Sequence, residues 1–335
     1  MAASIIAIGA GRMGRGIALA YAIRGQSVAV VDFKPRDAGQ FQALSEEIDQ
    51  ELITALQQLA DLELFSADQV ASIRRRIDIV DLAHAGDVLK TAGIIYEGVP
   101  ETLEAKRDAL KRICESAPDT AIIASTTSTM LASELAGMVT HPRRFMNAHW
   151  LNPAYVIPLV EISAHDQTSG EALDALKESL TGIGKVPVQC ACSPGFIVPR
   201  LQTLIMNEAA RMVEEGVATV EEIDLATRYG LGFRFASIGV LEFIDYGGND
   251  ILYHPSHYLS DNLDASRYAA PDIIKRYMHE GKIGLRSANG FLSYEGVDLN
   301  AYRRDVLART LGMLRHFGLD QSIPSTTVRE ISDEN

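Results

Sequence analysis

The chain has 335 residues, 47% of them apolar and 22% charged, with a formal net charge of −13. At roughly 100–200 residues per domain, this length predicts two domains, and the ordinary composition excludes a disordered chain. The acidity is spread along the chain (24 acidic against 17 basic residues in 1–190, 20 against 14 in 191–335), so no basic face points to a nucleic-acid or anionic-membrane partner.

The first 190 residues alternate β-type runs with helical stretches. Strands are expected at residues 5–9, 28–32, 77–80, 94–99, 121–125, 145–149, 159–162 and 186–190. Helices are expected at 12–24, 103–114 and, as one long region, 39–76. Such alternation predicts an α/β fold built on a Rossmann-type, mostly parallel sheet, with later strands free to run antiparallel. After Ser193-Pro194-Gly195 the pattern turns helical throughout: 197–215, 220–229, 239–253, 271–280 and 302–317. Ser193 followed by Pro194 reads as a helix N-cap with proline at the first helical position. The expected organisation is therefore a dinucleotide-binding domain over 1–190 and an all-helical C-terminal domain over 191–335. The polar tail after Gly318 is expected to fray.

Cys114, Cys190 and Cys192 are too few for a disulfide framework and have no histidine cluster for zinc. No run of about 18 apolar residues exists. Ile5-Ile6-Ala7-Ile8 runs straight into a glycine cluster holding Arg12 and Arg15, the wrong order for a signal peptide. These features lead to the expectation of a soluble cytoplasmic protein.

Gly9-Ala10-Gly11-Arg12-Met13-Gly14 is a G-x-G-x-x-G turn between an expected strand and an expected helix. The first glycine permits the tight turn, the second lets a pyrophosphate approach the backbone, and the third packs helix on strand. The next strand ends in Asp32, 18 residues beyond Gly14, near the spacing of an acid that accepts hydrogen bonds from an adenosine ribose. A carboxylate there repels a 2′-phosphate, so NAD is the expected cofactor, although Lys34 and Arg36 lie close by.

Chemistry-bearing residues cluster in 97–161. Glu97 to Glu101 with Lys106, Ser125 to Thr129 with Ser128, and Asn147 to Pro153 with His149 and Asn152 each follow an expected strand, where α/β sheets bind ligands. Oxidation of a secondary alcohol needs a base for the hydroxyl proton, and histidine titrates near neutrality. Glu161 is a charge inside the apolar run Leu159-Val160-Glu161-Ile162. Burying it alone is costly, so a partner is implied, and His149 is the nearest attractive one.

With these residues in place, the sequence resembles the 3-hydroxyacyl-CoA dehydrogenase family over nearly its whole length. The glycine turn through Ala18 resembles the family's opening fingerprint, and Ser193-Pro194-Gly195-Phe196-Ile197-Val198 the entry to its helical domain. Gly284-Leu285-Arg286-Ser287-Ala288-Asn289-Gly290-Phe291 resembles its closing glycine turn. The resemblance implies that His149 is the general base, oriented by Glu161, with Ser128 and Asn152 bonding the substrate oxygen or carbonyl. It further implies that Gly9, Gly11, Arg12, Met13, Gly14, Asp32, Glu101, Lys106, Ser128 and Arg286 serve NAD, with Glu101 and Lys106 as the nicotinamide-ribose pair, and that the chain dimerises through its helical domain.

Two departures bear on the substrate. Pro199 stands where the family usually has asparagine; it is compatible with a helix only in the first turn. Residues 40–73 carry Glu46, Glu47, Asp49, Glu51, Asp61, Glu63 and Asp68 and no Lys or Arg, where acyl-CoA members tend to be basic. A small hydroxy acid without CoA therefore stands beside a 3-hydroxyacyl-CoA as the expected substrate. Trp150, Tyr155, Tyr229, Phe233, Arg234 and Phe235 are candidates to line a compact pocket. A non-catalytic, crystallin-like NAD-binding protein is the alternative reading.

Overall fold

The computed structural model describes residues 4–320. The expected frayed tail thus lies largely outside the described residues. The chain divides into two compact units, Met1–Asn207 and Glu208–Asn335.

The first unit is an eight-stranded sheet with helices on both faces. Its strands are β1 (Ser4–Ile8), β2 (Val28–Val31), β3 (Ile77–Val80), β4 (Ala92–Glu97), β5 (Ile122–Ser125), β6 (Phe145–Trp150), β7 (Leu159–Ser163) and β8 (Val186–Cys190). The order is β3-β2-β1-β4-β5-β6-β7-β8. Every neighbouring pair is parallel except β6 and β7, whose antiparallel register sets His149 opposite Glu161. Side chains alternate across a strand, and both faces here are covered. Ile5 and Tyr96 belong to one core layer; Ile6 and Ile95 belong to the other.

The helices of this unit are α1 (Arg12–Ile23), α2 (Ala38–Asp61), α3 (Val70–Arg74), α4 (Ala85–Leu89), α5 (Leu103–Ser116), α6 (Ala132–Ala136), α7 (Gly170–Gly182) and α8 (Val198–Glu214), the last crossing into the second unit. Several start where a polar side chain satisfies free amides. Asp37 and Gln40 form a reciprocal capping box on α2, and Thr102 and Ser169 cap α5 and α7. The expected single helix over 39–76 is two, α2 and α3. The chain turns between them with Glu63 at φ 62°.

The second unit holds α9 (Val220–Ala226), a π-helical turn at Thr227–Gly232, α10 (Phe233–Ser237), α11 (Val240–Gly247), α12 (Asp250–Asn262), α13 (Ala265–Tyr268), α14 (Asp272–His279) and α15 (Leu299–His316). The helix expected over 239–253 is broken. Gly248 adopts φ 109°, a conformation few other residues tolerate, and the chain restarts as α12. No described helix is long and apolar enough to cross a membrane.

Candidate active site

The glycine turn sits between β1 and α1. Gly9 has φ 99°, and a Cβ there would fall 2.6 Å from Gly98 O; one on Gly14 would fall 2.1 Å from Gly9 O. A Cβ on Gly11 would meet nothing within 4 Å, so the backbone lies open where α1 begins. The amides of Arg12 and Met13 follow directly, and a helix N-terminus favours an anion. Beside the turn lies a cavity of about 400 Å³ bordered by Gly9, Gly11, Asp32, Lys34, Arg36 and Val99. Backbone, cavity and acid fit a dinucleotide. The Arg12 side chain points elsewhere, into a groove with Asn152, and Met13 packs against the core.

Glu97, at the end of β4, is fully buried. Its Oε1 accepts from Lys106 Nζ at 3.0 Å and from the Val99 amide at 2.8 Å, and its Oε2 from Ser125 Oγ at 2.6 Å. Lys106 is also fully buried, and its Nζ lies 3.5 Å from Glu101 Oε2. The Glu101–Lys106 pair read from the sequence does come together, but Glu97 is the closer partner. Glu101 Oε1 accepts from the Thr127 hydroxyl and from the amides of Ser128 (2.9 Å) and Thr129 (3.2 Å). Burial opposes its charge, but the Thr127 and Thr129 hydroxyls, Lys106 and the Ser128 amide outweigh burial and hold the carboxyl below the usual range. Glu101 thereby shapes the loop that leaves the Ser128 side chain exposed at the end of β5.

His149 and Glu161 meet across the β6–β7 pair. The imidazole Nδ1–H donates to Glu161 Oε2 at 2.8 Å, and both residues are buried. Glu161 Oε1 accepts from the amides of Ile197 and Val198, each at 2.8 Å. One carboxylate thus holds the imidazole with one oxygen and the start of α8 with the other, which compensates its desolvation. Burial, reinforced by the Glu161 carboxylate, pushes the Cys190 thiol up. The ring of Phe196 stacks on His149, with centroids 5.3 Å apart at 25°. Phe196 has φ 45°, a costly conformation for a bulky residue. With Nδ1 engaged by Glu161, Nε2 is left to accept a proton.

Family models match the two parts of the chain in turn. The 3-hydroxyacyl-CoA dehydrogenase NAD binding domain matches residues 4–193, and the 3-hydroxyacyl-CoA dehydrogenase C-terminal domain matches residues 195–294. The chain belongs to the 3-hydroxyacyl-CoA dehydrogenase family. It is an NAD-binding oxidoreductase of that family.

Among its relatives is a 5-formyl-3-hydroxy-2-methylpyridine 4-carboxylate 5-dehydrogenase of Mesorhizobium japonicum, 29% identical over 88% of this chain and 91% of the relative. An L-carnitine dehydrogenase of Pseudomonas putida is 34% identical over 67% of this chain and 71% of its own. The crystal structure of a 3-hydroxyacyl-CoA dehydrogenase from Archaeoglobus fulgidus superposes with a TM-score of 0.73 at 27% identity, covering 95% of this chain and 100% of that one.

Against this family background, several expectations from the sequence are corrected. Pro194 does not open a helix. Gly195 and Phe196 take positive φ, the chain turns, and α8 begins at Val198 with Glu161, not Ser193, accepting its free amides. Pro199 therefore sits in the first turn of α8, where the missing N–H costs little. Trp150 is no pocket residue; it is buried against Tyr21 and Tyr96. In the second unit, Tyr229 and Phe233 pack on Phe317, and Phe235 on Phe243, over which Arg234 also lies. Tyr155 does line a groove, of about 720 Å³, together with Asn152, Arg12, Arg15, Glu47 and Glu51.

The sequence places Glu97 and Ser125 in the chemistry-bearing stretch but does not reveal their buried bonds to Lys106 and to each other, nor the roles of Phe196 and the α8 amides. Glu97 had a legible signal, a carboxylate ending an apolar strand, much as Glu161 is a carboxylate within one. The Phe196 stack had none, because it depends on a contact across 47 positions.

Proposed function

We propose that the chain is a dehydrogenase that interconverts a secondary alcohol and a ketone on a small hydroxy acid, with His149 as the general base. The carrying observation is the buried 2.8 Å contact from His149 Nδ1 to Glu161. It fixes the tautomer, leaves Nε2 as the proton acceptor, and stabilises the imidazolium once the proton has moved. NAD, when bound, supplies the hydride acceptor. Ser128 and Asn152, both exposed at strand ends, are placed to bond the substrate oxygen and carbonyl. In the reverse direction the imidazolium returns its proton to the ketone oxygen. An intact His–Glu pair supports this reading over the non-catalytic one.

The groove supports a substrate without CoA. It runs from Asn152 and Tyr155 to α2, whose wall presents Glu47, Gln50, Glu51 and Thr54. Arg15 is spent on that wall, donating to Glu47 at 2.9 Å and to Glu51. Among the described residues, Arg12 is the groove's cation without an ion pair. The several phosphate charges of CoA would meet carboxylates there, and like charges repel. Relatives named for a pyridine carboxylate and for carnitine are in line with a free acid. Comparing kcat/KM for one 3-hydroxyacyl-CoA and its free acid tests this. The free acid is expected to win, and a clear preference for the thioester overturns the assignment of substrate.

We also propose a homodimer formed through the helical unit. Leu225, Leu241, Ile251, Tyr258 and Leu263 are large, exposed and all in that unit. Large exposed apolar side chains gathered in one unit favour association. Sedimentation velocity on the full chain is expected to give a dimer; a monomer at micromolar concentration rejects it.

A further inference from the structure

Asp32 is the acid that an adenosine ribose would meet, yet its carboxylate is already engaged. Arg36 Nε donates to its Oδ2 at 2.5 Å, and the Lys34 amide donates to its Oδ1 at 3.3 Å. Asp32 is 4% exposed, so the pair is held in a weakly screened setting. Among the described residues, Arg36 uses only Nε, which leaves Nη1 and Nη2 available. The Lys34 ammonium has no carboxylate partner among those residues. Both cations border the same 400 Å³ cavity as Gly9 and Gly11.

An unpaired acid at this position excludes a 2′-phosphate by repulsion, whereas an arginine nearby accommodates one. Here the acid is neutralised by such an arginine, and a second cation stands beside it. A phosphate monoester carries about two negative charges and offers three acceptor oxygens, which suit a guanidinium fork. We propose that Arg36 is a specificity-determining residue that lets this cavity accept NADP(H) as well as NAD(H). It offsets the charge of Asp32 and, with Lys34, receives the 2′-phosphate. This goes beyond the proposed alcohol–ketone chemistry and rests on the dinucleotide cavity alone.

The test is direct binding. NADH and NADPH are titrated against the full chain by nucleotide fluorescence or calorimetry, independent of any substrate. The wild type is expected to bind NADPH within about tenfold of NADH. Arg36→Ala should weaken NADPH by about tenfold to a hundredfold, the scale of lost charge-assisted hydrogen bonds, and leave NADH unchanged or tighter. Lys34→Ala should weaken NADPH alone, by about threefold to tenfold. Added salt should weaken NADPH more than NADH. Retained NADH binding reports that each variant is folded. A wild type that discriminates against NADPH by more than about tenfold, or an Arg36→Ala variant with an unchanged ratio of the two affinities, overturns the proposal. Failure of the wild type to bind NADH as well would reject the cavity assignment itself.

Discussion

The two units solve the problem of apolar surface differently. The sheet unit buries its large side chains on both faces, with Ile6, Ile8, Tyr96, Leu52 and Trp150 almost wholly inaccessible. The helical unit has few fully buried residues, Ile274 and Leu285 among them, and leaves Leu241, Ile251 and Tyr258 exposed. The first unit also contains a complete polar constellation, in which Glu97, Glu101 and Glu161 each have their partners within residues 1–207. The helical unit has a buried carboxylate of its own, Asp245, bonded by the Phe291 and Leu292 amides, but leaves more large apolar side chains exposed.

Replacing His149 probes the chemical half of that contrast. His149→Gln should lower kcat by about 10²–10⁴-fold, the usual contribution of a positioned acid–base, while NADH binding stays near normal. Near-normal turnover in that variant would remove the base from the mechanism. Lys106→Met comes next, because it strands the Glu97 and Glu101 carboxylates that the ammonium serves. Breaking a buried pair by removing one partner costs about 3–5 kcal/mol, measurable by urea denaturation. A loss below 1 kcal/mol would show that the pocket rehydrates freely.

Packing is compared most directly with two leucines. Leu52→Ala in the sheet unit should cost about 2–5 kcal/mol. Leu225→Ala in the helical unit should change the stability of a monomer by no more than about 0.5 kcal/mol. A larger loss at Leu225 that disappears on dilution would locate it in the interface between two copies. Equal, concentration-independent losses would erase the contrast.

The smallest effect concerns Lys185, whose Nζ donates to Ala154 O at 2.6 Å and Ile157 O at 2.7 Å and so braces the loop after Asn152. Burial, reinforced by Arg24, lowers its pKa from 10.5 to about 8. Between those values the unfolded chain binds the extra proton, so this group makes stability rise with pH above about 8. Urea midpoints at pH 7.5 and 9.5 for the wild type and Lys185→Met should differ in slope in that sense. Parallel slopes would mean that the loop does not shield the ammonium.

Most of the sheet was legible because its signals are local. Apolar runs end at glycine, acid or hydroxyl residues, so all eight strands were placed to within about two residues, and the glycine turn with Asp32 followed from spacing. The His149–Glu161 pair was legible because a charge inside an apolar run demands a partner. What could not be read depends on long-range geometry. Gly195-Phe196 looks like an ordinary helix entry until Glu161 takes the amides 36 and 37 positions away. Arg36 looks like a surface cation until it closes on Asp32. Gly247-Gly248 interrupts an otherwise continuous helical pattern only because the second glycine adopts positive φ.

The divided duty of Glu161 has a consequence for quality control within the molecule. Until the crossover strand of chain at 195–198 has settled, one oxygen of that carboxylate lacks its backbone donors and the ring of Phe196 has nothing to press against. On the proposed role of His149, the orientation of the base therefore depends on residues 196–198 being in place, and turnover would read out whether they are.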